Sequence, residues 1–134
     1  PQEQAAVAAA ERWLVAYRSV SYNDPEPTTW ITRVLPLSTE RFGRELTRAR
    51  DGSTGADWST FVTRRCRTSV EQLAGTIPDE APRADDEVYV QLSATAVTYC
   101  AKNPRTGPPS EVIAMTVAVE RNDDGTWRVG QRLF

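Results

Sequence analysis

Apolar positions three and four residues apart dominate the start of the chain. Ala6, Ala9, Ala10, Trp13, Ala16, Tyr17 and Val20 fall on one stripe, with Glu11, Arg12 and Arg18 off it. A repeat near 3.6 brings such positions to one face, so the spacing predicts an amphipathic helix over residues 4–20. Its small residues let it lie close to a sheet, and Trp13 and Tyr17 fill the concave side. Asn23-Asp24-Pro25 and Pro27 favour turns and remove backbone donors, so residues 21–27 read as an ordered loop. Thr28 or Thr29 can cap a short helix carrying Trp30, Ile31, Val34 and Leu35, which Pro36 ends. Ser38 or Thr39 can cap another, with Phe42 and Leu46 one turn apart and a basic last turn at Arg48 and Arg50. The Asp-Gly-Ser-Thr-Gly run at 51–55 breaks the pattern.

Beyond Asp57 the period falls to two. Over residues 61–74, Val62, Cys66, Thr68 and Val70 share one face while Arg65, Arg67 and Glu71 take the other, which predicts a long strand. Residues 76–86, with two prolines and several acids, are a solvated connection. Over 87–101, Val88, Val90, Leu92, Ala94, Ala96 and Cys100 alternate with Gln91, Ser93 and Thr95 to give a second strand. A Gly/Pro loop at 104–110 precedes a third strand over 111–121, with Val and Ile on both faces around Met115. Asp124-Gly125 signals a hairpin into a fourth strand over 127–134. Three helices followed by four strands predict an α+β domain, residues 1–134, in which a bent antiparallel meander cups the first helix.

The two cysteines acquire a relation from that topology. If the first two strands turn back near Arg83, opposed residues have numbers summing to about 166, as Cys66 and Cys100 do. The pair is then either a bridge or two buried thiols acting as small apolar residues. A bridge would place the domain outside the cytoplasm.

Length and charge narrow the function. At 134 residues one core is expected. A net charge of −2 with both signs interspersed offers no basic surface for counterion release, which argues against direct nucleic-acid binding. Only Lys102 among the sixteen basic residues is a lysine, and Ala is abundant, a bias expected of a GC-rich, actinobacterial genome. No apolar run is long enough to span a bilayer, and the chain begins at Pro1, so any membrane attachment is expected through a segment absent from this sequence.

Candidate chemistry is sparse. The chain has no histidine, which removes the commonest general base, triad partner and metal ligand together. Arg64, Arg65 and Arg67 surround Cys66, but alternation turns Arg65 and Arg67 away from it, so a core cysteine is expected there. Asp24, Asp57 and Asp86, with Tyr17, Tyr22, Tyr89 and Tyr99, are the candidates for acid–base work, yet Asp24 and Asp57 sit where turns favour aspartate. The cysteine spacing fits no zinc site, Asp123-Asp124 lacks the calcium-loop spacing, and none of the seven glycines forms a phosphate cradle. No catalytic residue, metal or cofactor is expected. Trp13, Tyr17, Tyr22 and Trp30 could line a pocket between helices and sheet, or form core.

The run Ala9-Ala10-Glu11-Arg12-Trp13-Leu14-Val15-Ala16-Tyr17, then Asp24-Pro25, Trp30 and Val34-Leu35-Pro36-Leu37, before a fourfold meander closing on Gly125-Thr126-Trp127-Arg128-Val129, resembles the nuclear transport factor 2-like superfamily over nearly the whole chain. The arrangement looks most like extracytoplasmic domains of actinobacterial membrane-anchored proteins, such as the bridge components of type IV secretion and conjugation machines. The resemblance implies helices packed in the concave face of a strongly curved four-stranded sheet. It also implies a non-catalytic assembly domain on the outer face of the cell membrane, whose partners are other protein subunits, a second copy of the chain among them. The same fold hosts isomerases and cyclases that place an acid or base inside the cone. A small-molecule or enzymatic role in that pocket is therefore the alternative.

Overall fold

In a computed structural model, which describes residues 2–49, 55–101 and 110–134, the first apolar stripe forms α1 (Gln2–Arg18) and buries Ala6, Ala9, Ala10, Trp13 and Leu14. The helix stops before Val20 because Val20 pairs with Thr68, and Ser21 with Arg67, as a two-residue strand β1 (Val20–Ser21). The sheet therefore has five strands rather than the expected four; two residues are too few for alternation to register. After the loop come α2 (Trp30–Val34) and a 3₁₀ turn over Leu35–Leu37 that accommodates Pro36. In α3 (Glu40–Arg48), Thr39 Oγ1 caps the first turn by accepting from the Phe42 N–H at 3.3 Å. Ser38 makes a parallel bridge to Val129, and the Thr39 N–H donates to the Val129 carbonyl at 2.9 Å. These bonds seat α3 on the far edge of the sheet.

The strand expected from residue 61 does not begin there. Residues 55–63 form a fourth helix, α4 (Gly55–Thr63), which holds Phe61 and Val62 and carries Asp57 in its first turn. Trp58, Phe61 and Val62 recur at three and four, so the helical repeat competes with alternation over this short run and wins. Arg65, at φ 54°, ends the helix in the left-handed conformation, its N–H donating to the Val62 carbonyl at 3.0 Å. Only then does β2 (Cys66–Thr76) start. The break at 51–54, the basic end at Arg50 and the Gly/Pro loop at 104–109 lie outside the described residues.

With β3 (Glu87–Cys100), β4 (Glu111–Arg121) and β5 (Trp127–Arg132), the sheet runs β1-β2-β3-β4-β5, each neighbour antiparallel. Gly125, at φ 84°, makes the final hairpin turn. The register counted from the sequence is the one found from Cys66↔Cys100 to Glu71↔Thr95; it then slips by one, to Ala74↔Ser93. Gln72, at φ 54°, lies in that bulge, which bends β2 around α1. Gly75 lets the helix come close: its N–H donates to Glu11 at 3.1 Å, and a Cβ there would lie 3.0 Å from Val7.

On the inner face Val88↔Val119, Val90↔Val117, Leu92↔Met115 and Ala94↔Ile113 are opposed, buried pairs under α1. Each fully buried Val, Leu, Ile or Met contributes about 1.5–3 kcal/mol. β4 thus turns Ile113, Met115, Val117 and Val119 inward and leaves Val112 81% exposed on the opposite face.

Candidate functional site

The hollow between α1 and the curved sheet is where this architecture has room for a ligand, and here it is filled. Trp13 is completely buried, its ring stacked on Tyr17 at 4.7 Å and on Phe42 at 5.9 Å between centroids. Trp30 meets Tyr17 edge-on at 5.2 Å. The Trp13 indole N–H donates to Ser38 Oγ at 3.0 Å, and that hydroxyl donates to the Val34 carbonyl at 2.8 Å. The one polar atom of the ring is thereby satisfied inside the core. Of the four aromatic candidates the structure brings together Trp13, Tyr17 and Trp30 as packing. Tyr22 stands apart; its N–H donates to the Cys66 carbonyl at 2.9 Å.

No buried acid or base accompanies them among the described residues. Among the described residues the buried polar side chains are Ser38 and Thr116, and no carboxylate is buried. Asp24 is taken up in holding its loop: it pairs with Arg33 at 3.0 Å and accepts the Ser21 N–H at 3.0 Å, while Arg33 also donates to the Ser19 carbonyl. No group of three potential ligands suits a metal among the described residues. Cys66 and Cys100, both buried, lie opposite one another with Cα atoms 3.9 Å apart and are joined as a disulfide. That distance is well inside the roughly 7 Å beyond which two cysteines cannot be bridged without backbone movement.

Three surface features escaped the sequence reading. On the outer face at the disulfide end, Arg67 lies 5.2 Å from the Tyr99 ring centroid, and Tyr99 and Ser69 donate to Glu71 Oε2 at 2.6 and 2.9 Å. The Tyr99 hydroxyl, then the Ser69 hydroxyl, hold the Glu71 carboxyl below the ordinary carboxylate range, and Glu71 raises Tyr99 in return. Alternation and the cysteine register together place Tyr99 opposite Arg67, so this array was legible in principle. Tyr99→Phe is expected to return the Glu71 pKa toward its usual value, read by NMR titration of its side chain. A depressed carboxyl contributes stability above its unfolded pKa and loses it as pH falls through the folded one. The wild-type chain should therefore lose slightly more stability on acidification than the variant.

The second feature is a cleft of about 250 Å³ between α4, the 20–27 loop and β2, lined by Val20, Pro27, Asp57, Trp58, Phe61 and Thr68. A larger open groove of about 450 Å³ crosses the outer sheet face along Thr76, Gln91, Ser93, Ala114, Thr116 and Phe134. Seeing the first required knowing that residues 55–63 are helical.

No family model matches the chain, and no curated protein matches it. Two solved structures are similar in architecture. A periplasmic fragment of TraM superimposes with a TM-score of 0.57 at 10% identity, over 98% of this chain and 95% of that one. The VirB8 protein of Agrobacterium tumefaciens does so with a TM-score of 0.55 at 12% identity, over 98% and 90%. At such identities the likeness is one of fold: helices against a strongly curved antiparallel sheet, the nuclear transport factor 2-like arrangement.

Proposed function

We propose that the 134 residues make one non-catalytic assembly domain of a membrane-anchored extracytoplasmic complex, of the kind that builds conjugation or type IV secretion machines in an actinobacterial cell. The observation that carries this reading is the filled cone: Trp13, stacked on Tyr17 and Phe42, fills the hollow between α1 and the sheet, and among the described residues no carboxylate is buried with it. A cross-strand disulfide suits an oxidising compartment, and one of the two similar structures is a periplasmic fragment. With the interior occupied, the outer surface is what remains for recognition, by other protein subunits or by a second copy.

Deleting the gene for this chain in its host and measuring conjugative DNA transfer or protein secretion tests the proposal. Loss of transfer, restored by the membrane-tethered protein, is expected. Transfer at the parental level after deletion would defeat the assembly role. So would saturable turnover of a small hydrophobic substrate by the purified chain that Asp24→Ala or Asp57→Ala abolishes.

A further inference from the structure

The groove of about 450 Å³ on the outer face of the sheet has a floor of small side chains. Ala74, Ser93 and Ala114 stand abreast on β2, β3 and β4, all exposed. One row along, Thr76, Gln91 and Thr116 stand abreast too. The Thr116 N–H donates to the Phe134 carbonyl at 2.9 Å, which sets Phe134, 78% exposed, at the end of that row. Thr95 and Val112 form the row on the other side of the floor. By strand geometry the face from Gln91 to Thr95 is about 13 Å long, and three strands are about 10 Å across.

The groove is polar without being charged. None of its lining residues carries a charge. The side chains of Thr76, Gln91, Ser93 and Thr116 make no hydrogen bond to the described residues. For the three exposed ones water is partner enough. Thr116 is different: it lines the groove, yet it is only 8% exposed. Ser38, the other buried polar side chain among the described residues, is bonded on both sides. Buried hydroxyls are ordinarily bonded in this way, so the Thr116 hydroxyl is left for a group that arrives from the groove.

The bulge in β2 adds an amide beside it. In a regular strand successive side chains point to opposite faces. Here Glu71 accepts from the Tyr99 hydroxyl at 2.6 Å and Gln72 Oε1 accepts from the Thr95 hydroxyl at 3.1 Å, so two consecutive residues reach the same outer face. Gln72 does so at φ 54°, a conformation that favours glycine. Its carbonyl oxygen is held by Thr95, one row from Ser93, while its amide N–H groups have no partner among the described residues. Backbone strain that sets an uncommitted donor beside a groove is a feature of ligand sites.

These features separate the ligand classes. A phosphate, a charged peptide or an anionic lipid needs an opposing charge, and the lining has none. A peptide adding as a strand needs free main-chain groups, and those lie in the plane of a sheet, so this face presents side chains alone. An uncharged ligand with many hydroxyls and apolar C–H faces meets every group present. We propose that the outer groove binds a neutral oligosaccharide. Its hydroxyls bond Ser93, Thr76 and Thr116, the Gln72 and Gln91 amides bracket it, and a C–H face of one sugar lies on the Phe134 ring. This site goes beyond the assembly role and does not depend on it.

The probes are two neutral tetrasaccharides, chitotetraose and cellotetraose, with an uncharged peptide of Ser, Gln, Ala and Pro beside them. Each is titrated into the purified, isotope-labelled chain and followed by NMR. At least one tetrasaccharide is expected to shift the amide signals of Ala74, Ser93 and Ala114 and the ring signals of Phe134 saturably. Thr116→Val keeps the volume and removes only the hydroxyl, so it should weaken binding about fivefold without lowering the melting temperature. Q91A/S93A, on exposed positions, should weaken it about tenfold or more. Gln72→Gly relaxes the backbone while removing the amide, so weaker binding by a chain at least as stable separates the ligand role from a folding defect. The proposal is overturned if neither tetrasaccharide moves these signals, if the peptide moves them equally, or if Thr116→Val and Q91A/S93A bind as the parent does. Because the readout is the purified chain, a gene deletion that leaves transfer intact would end the assembly reading and leave this result standing.

Discussion

Trp13→Ala is expected to lower the melting temperature by about 10–20 °C, corresponding to about 3–5 kcal/mol for a fully buried tryptophan truncated to its β-carbon. The loss has three sources. The cavity would open beside Tyr17 and Phe42, which both stack on the ring. α1 would lose its largest buried side chain. Ser38 would lose the indole donor while keeping its bond to the Val34 carbonyl. Trp13→Phe separates these, since it fills most of the space and removes only the donor; a cost of about 1–2 kcal/mol is expected. Thermal unfolding followed by circular dichroism reads both, and an alanine variant melting within a few degrees of wild type would refute the packing account.

The second large effect concerns the cross-strand pair. Cys66 and Cys100 are 34 residues apart, a loop whose closure restricts the unfolded chain by about 3–4 kcal/mol in the chain-entropy account. Cys66→Ala with Cys100→Ala should lose about that much, and thiol counting on the denatured, unreduced wild-type protein should find no reactive thiol. Two reactive thiols would mean the pair is reduced and the stabilisation absent. The damage should be uneven. The Tyr22 N–H bonds to the Cys66 carbonyl and the Ala101 N–H to that of Arg65, so the bridge sits beneath both β1 and the end of α4. Hydrogen exchange in the double variant should quicken there before it does in α1.

How far the fold could be read from sequence depended on how many residues voted for each period. α1 offered seven stripe positions and β3 six alternating apolar ones, and both elements stand within two residues of their expected ends. The β2–β3 register needed only a count, because tight antiparallel pairing leaves one free parameter; the bulge at Gln72 carries no local signature and was missed. α4 failed because nine residues with Phe61 and Val62 side by side satisfy both periods. β1 failed because a two-residue strand has no period. Of the aromatic candidates Trp13, Tyr17 and Trp30 are in ring contact and Tyr22 is not among them, but whether such a set is wall or filling is decided by what packs on its far side. Phe42 and Ser38, supplied by α3 and the segment before it, decide it here.

The bridge between Ser38 and Val129 joins an early segment to a strand near the end of the chain, and the interior around Trp13 needs both. As the ribosome delivers the N-terminus first, α1 emerges with its apolar stripe and then waits for more than a hundred further residues before β4 and β5 exist to cover it. At about 5–20 residues per second that interval is on the order of ten seconds, far longer than a helix takes to form. The nascent chain therefore exposes an uncovered apolar stripe through most of its synthesis. Its final collapse is a late, non-local event with the slow kinetics of high contact order. A holdase chaperone would find its natural handle in the Ala6–Tyr17 stripe, and a chain cut short before Val129 would keep that handle for good.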